Sequence, residues 1–287
     1  DWYLAANLAS QGALDGHLMT GLSPSGLPKG LTGTAIPFAP GSIENLENII
    51  AAQTNKIAAL VIEPARAADA DPNYLKSLKF LSKKIGAVLI FDEITSAFRM
   101  NSGGIHLNYG VHPDIAVIAK SMANGYAMSA IFGKKEVMEV AQKTFLSSTN
   151  WTERVGPTAA LATIKKYIDT DTSTHIIKKG RQVKEIWKSA SKKYSLPINI
   201  SGLDSLASFE FITENNLLLQ TLFTKLMLDR GFLAFRQFKP SLAHKDNHIN
   251  AYEEKINEVF SILSKNNADK LLKTPIAEVS FARITKE

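Results

Sequence analysis

Apolar runs of strand length, separated by turns and helix-length amphipathic segments, most limit the folds open to this chain. Ile57–Ile62 and Ala87–Phe91 are continuous apolar stretches that run into Glu63-Pro64 and Asp92. Continuous apolarity is what a strand covered on both faces requires. Between them, Asp71-Pro72 supplies an N-cap and a proline at the first helical position. Leu75, Leu78, Leu81 and Ile85 then keep helical spacing until Gly86 ends the helix. Ile115–Ala119 and Ser129–Phe132 read as two further strands. Short links between strand, helix and strand predict βαβ units. The fold class expected is α/β, a mostly parallel sheet flanked by helices.

After Gly156-Pro157 the pattern changes. Residues 158–194 read as helix, followed by short strands at Ile198–Ile200 and Leu206–Ile212. A helix over about 215–230 stops at Gly231, an apolar stretch follows at Phe232–Phe235, and an amphipathic helix covers about 248–264. This is a small C-terminal α+β domain. The division expected is a large domain over 1–165 and a small one over 166–287. Residues 1–45 are rich in Gly, Pro and Ser and predict irregular backbone.

Composition narrows the function. The 287 residues, 45% of them hydrophobic, can bury a substantial core, and the chain has no cysteine. Disulfides, thiolate metal sites and a cysteine nucleophile are therefore excluded. The net charge of +6 is dispersed over predicted helix faces rather than gathered in a block, so no nucleic-acid partner is expected. No apolar run nears the roughly 18 residues that span a bilayer. No signal-like opening is present, and a cytoplasmic protein without a membrane partner is expected. The first residue is Asp1 rather than Met, and Asp1-Trp2-Tyr3-Leu4 reads like mid-domain sequence.

Two strand ends carry the chemistry. Ala87-Val88-Leu89-Ile90-Phe91-Asp92-Glu93 delivers an acid where open α/β sheets place ligands. Such an Asp can serve a nucleotide-hydrolase metal site, pair with a protonated ring nitrogen of a cofactor, or simply cap a turn. The first use needs a G-x-x-x-x-G-K-[ST] loop. The nearest candidate, around Gly133-Lys134-Lys135, has Met128 in place of the first Gly and Lys135 in place of Ser or Thr. The second strand, Ile115-Ala116-Val117-Ile118-Ala119, delivers Lys120. Burial of an amine at a strand end favours its neutral form, which attacks an aldehyde. An acid and an amine on neighbouring strand ends can hold one small heterocycle from both sides, as pyridoxal phosphate would be held.

Phe91-Asp92-Glu93-Ile94-Thr95-Ser96-Ala97-Phe98-Arg99, followed by His112-Pro113-Asp114-Ile115 and by Lys120-Ser121-Met122-Ala123-Asn124-Gly125, resembles the class III pyridoxal-phosphate aminotransferases. Within them it is most similar to the glutamate-1-semialdehyde aminomutase-like branch. Leu27-Pro28-Lys29-Gly30, Glu63-Pro64 and Ser241-Leu242-Ala243-His244 are further matching pieces. The resemblance implies a fold-type-I enzyme using pyridoxal 5'-phosphate, a small-molecule amino donor, a carbonyl acceptor and a homodimer. Carried across, Lys120 matches the Schiff-base lysine and Asp92 the partner of the pyridine nitrogen. Ile94 falls two positions on and could pack against the ring, or be ordinary core. Thr95 could reach the ring hydroxyl oxygen, or serve only its turn. A threonine contacting the neighbouring subunit's cofactor phosphate is either Thr152, five residues before Pro157, or Thr149; a helix N-cap is the plain alternative. Arg236 is a candidate for a substrate carboxylate, against a surface arginine.

Ala97 stands where that family usually has Gly. The family's phosphate-binding Gly/Ser-rich loop and ring-stacking aromatic would precede Asp1, and no residues here match them. Two functional readings follow: amino-group transfer by a transaminase or aminomutase, or an inactive module or fragment that keeps the fold.

Overall fold

A computed structural model describes residues 30, 33–53, 56–66, 68–147, 152–265 and 268–277. The chain divides into two compact units, Asp1–Gln53 with Leu272–Glu287, and Thr54–Leu271. In the first, helix α1 (Ile43–Ala52) opens on Ser42, whose hydroxyl accepts from the Asn45 amide at 3.1 Å. The second holds both sheets.

A four-stranded sheet runs β1 (Ala59–Ile62), β2 (Val88–Asp92), β3 (Ile115–Ile118) and β4 (Ala130–Gly133), in that spatial order. The first three strands are parallel and β4 is antiparallel to β3. Registers Ile62↔Phe91 and Asp92↔Val117 bring the C-terminal ends of the parallel strands to one edge. Helix α2 (Pro72–Ile85) makes the crossover between β1 and β2 and lies against β2. Its signals act as the sequence indicates. The Asp71 side chain accepts from Asn73 N at 2.8 Å, Pro72 begins the helix, and Gly86 closes it at φ 71°. Leu75, Leu78 and Leu81 are buried.

The sheet differs from expectation in one respect. Continuous apolarity in β1 predicted cover on both faces, yet Val61 is 57% exposed. Val61 pairs with Ile90, Asp92 with Val117 and Val117 with Ile131, so these side chains share one face. That face is open at both sides, with Ile131 61% exposed, while Leu60, Leu89, Phe91 and Ala116 on the other are buried. Among the described residues β1 is an edge strand, which accounts for its exposure.

The stretch read as helix over 158–194 consists of two helices, α3 (Val155–Asp169) and α4 (Thr172–Tyr194). The break falls where Asp169-Thr170-Asp171-Thr172 competes with its own backbone. Thr170 Oγ1 donates back to the Lys166 carbonyl at 2.7 Å, and Asp171 takes φ 43°, a conformation Asp tolerates better than most residues. Helix α4 then runs past an antiparallel sheet of β5 (Ile198–Ser201), β6 (Ala207–Phe211) and β7 (Gln237–Phe238). Helices α5 (Asn216–Leu228) and α6 (Asp246–Leu263) complete this layer. Its core is aromatic: Phe209 lies 4.8 Å from Trp187 and 5.2 Å from Phe223, and the Trp187 indole donates to Tyr252 Oη at 2.9 Å. Each such ring pair contributes about 0.5–1.5 kcal/mol beyond area burial.

Asp114 ties the sheet together. Its carboxylate accepts from Leu89 N (2.9 Å), Lys79 Nζ (2.6 Å) and Lys134 Nζ (2.8 Å), joining β2, α2 and the end of β4. At Gly133, opposite, an added Cβ would stand 2.2 Å from the Asp114 carbonyl oxygen, so only glycine fits. Burial pushes the Asp114 carboxyl up, but the two ammonium groups and the Leu89 amide outweigh it and hold it at about 2. A carboxyl depressed by folding stabilises above its unfolded value, near 4, and loses that contribution as pH falls through about 2. Asp114→Asn is therefore expected to destabilise the protein by about 1–3 kcal/mol at neutral pH and to flatten the stability–pH curve between about pH 4 and 2. Urea titrations of both proteins across that range check it; parallel curves would contradict the assignment.

Candidate active site

The site forms where β2 and β3 end. Asp92 is the last residue of β2, half-buried, and its Oδ1 accepts from the Ile94 amide at 3.0 Å. That bond fixes the carboxylate against its own turn and leaves Oδ2 without a donor among the described residues. Ile94 is half-buried beside it, and Thr95 is buried. The Glu93 amide donates to Val117 O at 2.9 Å and closes the last pair of the ladder between β2 and β3, Asp92↔Val117.

Lys120 stands two residues beyond β3, at the start of a short 3₁₀ turn, Lys120–Met122. Its φ is 48°, in the left-handed region that costs a non-glycine residue on the order of 1 kcal/mol. The surroundings enforce it. Met122 and Ala123 are buried with Phe98, Ile118, Ala160 and Tyr167, and the Met122 amide donates to Ala119 O at 3.1 Å. From this backbone Lys120 Nζ donates to Thr95 Oγ1 at 2.8 Å. Thr95, three residues past Asp92, thus links the end of β2 to Lys120, and among the described residues Lys120 has no carboxylate partner.

One expectation is corrected. A lysine closing an apolar strand is expected to be buried and neutral, but Lys120 is exposed. Ala119 and the 3₁₀ turn carry the side chain clear of the sheet, and the Thr95 hydroxyl orients it instead. Thr152 is exposed in the turn before α3 and is not the N-cap. Arg154 holds that position, and the Glu153 carboxylate accepts from Val155 N and, at 3.0 Å, from Gly156 N. Thr149 lies outside the described residues. Arg236 precedes β7: its carbonyl accepts from Phe209 N at 2.9 Å and its guanidinium lies 5.5 Å from the Phe235 ring centroid. Neither Thr152 nor Arg236 makes a hydrogen bond to Lys120, Thr95 or Asp92.

Sequence reasoning passed over several residues. Arg99 Nε donates to Thr95 O at 2.6 Å, securing from behind the residue that holds Lys120. Burial lowers the Arg99 pKa, with Tyr167 opposing, and burial pushes Tyr167 up to about 12. Ser96 Oγ is buried without a partner among the described residues. Glu93, completely buried, accepts from the amides of Ile105 and His106 and faces His106 Nδ1 at 2.6 Å. A cue was present: an acid inside an apolar run needs donors, and Gly103-Gly104-Ile105-His106 is the nearby turn able to supply them.

Three comparisons bear on this geometry. Residues 39–260 match the family model for class III aminotransferases, and the chain belongs to that family. It is 30% identical over 258 residues to the 3-aminobutyryl-CoA aminotransferase of Cloacimonas acidaminovorans, covering 83% of this chain and 61% of that protein. It is 27% identical over 256 residues to the glutamate-1-semialdehyde 2,1-aminomutase of Clostridium kluyveri, covering 81% and 61%. The fold matches the internal aldimine form of FumI from Sphingopyxis sp. MTA144, with pyridoxal phosphate, at a TM-score of 0.81 and 20% identity, over 88% of this chain and 63% of that one. An omega-transaminase from Sphaerobacter thermophilus matches at 0.74 and 20% identity, over 87% and 62%. The chain spans about three fifths of the length of these relatives.

The close turn at Gly104 gives a prediction. A Cβ there would stand 2.6 Å from Glu93 Oε2 and from the His106 ring. Gly104→Ala is expected to cost about 1–3 kcal/mol through this clash. Gly110→Ala serves as a contrast: it carries backbone strain at φ 65° but no atom within 4 Å of the added carbon. Equal urea midpoints for Gly104→Ala and the parent would contradict the tight packing described.

Proposed function

We propose that this chain carries out pyridoxal 5'-phosphate-dependent amino-group transfer between a small-molecule amino donor and a carbonyl acceptor. The observation carrying this reading is the 2.8 Å contact of Lys120 Nζ with Thr95 Oγ1, on strands whose register sets Asp92 opposite Val117. The residues fit the cofactor: an amine free of carboxylate partners, and a fixed carboxylate with one oxygen free of donors among the described residues. When bound, the cofactor supplies an aldehyde and a ring that accepts electrons.

The chain's own groups do the rest. Asp92 would hold a proton on the ring nitrogen, and Ile94 would pack against the ring. Lys120 would hold the cofactor and, once released, move a proton as general acid–base. Thr95 aims that amine and would also meet the ring hydroxyl oxygen. Thr152 or Thr149 would meet the phosphate of a neighbouring subunit, and Arg236 a substrate carboxylate. Family membership supports transaminase and aminomutase chemistry alike. We keep the division into a large cofactor-binding part, 1–165, and a small C-terminal part, 166–287, on the change from a parallel to an antiparallel sheet.

The reading includes a homodimer. Tyr126, Ile131, Phe145, Leu146, Val155 and Leu161 all stand exposed between residues 126 and 161, Phe145 at 94%. Apolar side chains exposed at this frequency along one segment support a surface for self-association. No described helix is long and apolar enough to cross a membrane. A cytoplasmic place of action fits substrates of this kind.

Three measurements test these assignments. After incubation with pyridoxal phosphate and borohydride, peptide mapping should find the label on Lys120 and lose it in Lys120→Ala; a label elsewhere would refute the site. Asp92→Asn should still take the label but lower the transfer rate by about 100-fold or more, the scale for removing a preorganised electrostatic partner. In sedimentation, Phe145→Asp should shift the protein from dimer to monomer; a parent that is monomeric at micromolar concentration would refute the interface.

A further inference from the structure

Glu93 and His106 form a buried pair that no step above uses. Glu93 follows Asp92 directly, and its carboxylate takes all its donors from one turn: the Ile105 amide on Oε2, and on Oε1 the His106 amide at 3.1 Å and His106 Nδ1 at 2.6 Å. Both Glu93 oxygens already accept from backbone amides, so the contact is assigned with Nδ1 as the donor. The histidine ring cannot swing away. It is buried, edge-on to Phe91 at 6.3 Å between centroids and to His112 at 5.7 Å. On the backbone side, Glu93 N donates to Val117 O and Glu93 O accepts from Ala97 N, both at 2.9 Å. The residue between Asp92 and Ile94 is thereby held through side chain, amide and carbonyl.

The geometry points to His106 as a positioning residue for Asp92. Its Nδ1–H anchors Glu93, and Glu93 anchors the backbone from which Asp92 presents its free oxygen. This inference rests on the assignment of Asp92 to the ring nitrogen. A histidine that only fills space would matter for stability and leave the bound cofactor unchanged. One that positions Asp92 would alter how tightly the ring is held and how its visible absorption responds to pH.

The test uses His106→Ala and His106→Asn in the full chain. Asparagine places an amide nitrogen close to where Nδ1 stands, and His106→Leu, which fills the volume without donating, replaces the alanine variant if that one does not fold. Pyridoxal phosphate is titrated onto each protein, with the dissociation constant, the pH dependence of the visible band and the melting temperature of the cofactor-free protein as readouts. Loss of the donor should weaken cofactor binding about tenfold, the lower end of what removing an orienting partner costs at metal sites, and shift the pH profile of the band. Asparagine should restore both to within about twofold. Unchanged affinity and pH profile in the alanine or leucine variant, even with a lower melting temperature, would overturn the positioning role while leaving Lys120 and Asp92 standing. A parent chain that forms no borohydride-reducible complex would overturn the site assignment, and this inference with it.

Discussion

The hydrogen bond from the Glu93 amide to the Val117 carbonyl closes the last pair of the ladder between β2 and β3, Asp92↔Val117, and the site is built outward from it. A parallel pair in register delivers its ends at one level, so an acid on one strand and an amine two residues past the other reach the same edge. A slip of one residue would turn Asp92 to the opposite face, where Leu89 and Phe91 are buried. Asp114 guards against such a slip from the far end of the sheet, accepting from Leu89 while its carbonyl crowds Gly133. The Pro-Asp that helped mark the family resemblance is, physically, a clamp on register.

Local signals that act alone were legible. Asp71-Pro72 and Gly86 bound α2 because capping and the left-handed C-cap depend on neighbouring residues only. The strand ends at Asp92 and Lys120 were readable for a similar reason: a charged residue closing an apolar run marks where the covered part of a strand stops. What the sequence hid depends on partners distant along the chain. The openness of the Val61 face is a matter of which strand stands at the edge. The break at Thr170-Asp171 is a contest between helix propensity and local hydrogen bonding, which apolar periodicity does not register.

At Lys120 the physical premise changes. A lysine closing an apolar strand is expected to be desolvated, yet the residue is exposed and is held by geometry. A left-handed backbone, a buried turn through Met122 and Ala123, and the Thr95 hydroxyl together aim the amine. Strain at a functional residue persists only where the surroundings over-determine it, and here a hydrophobic cluster does so. Arg99 adds to this from behind by holding the Thr95 carbonyl, a contact that sequence spacing alone does not reveal.

Adjacent carboxylates at the end of β2 divide the labour through their environments alone. Glu93 is fully buried and already has an amide on one oxygen and an amide and a ring nitrogen on the other, so it has little left to offer a ligand. Asp92 is half-buried, spends one oxygen on its own turn and keeps the other free of donors among the described residues. Satisfying the buried acid completely leaves the half-buried one with an oxygen to offer: a rigid Glu93 fixes the direction in which Asp92 presents its charge, as outer-shell partners orient ligands at metal centres. Exchanging the two residues would keep the composition and the charge, yet it would put the shorter acid out of reach of the Gly104–His106 turn and leave the site without its anchor.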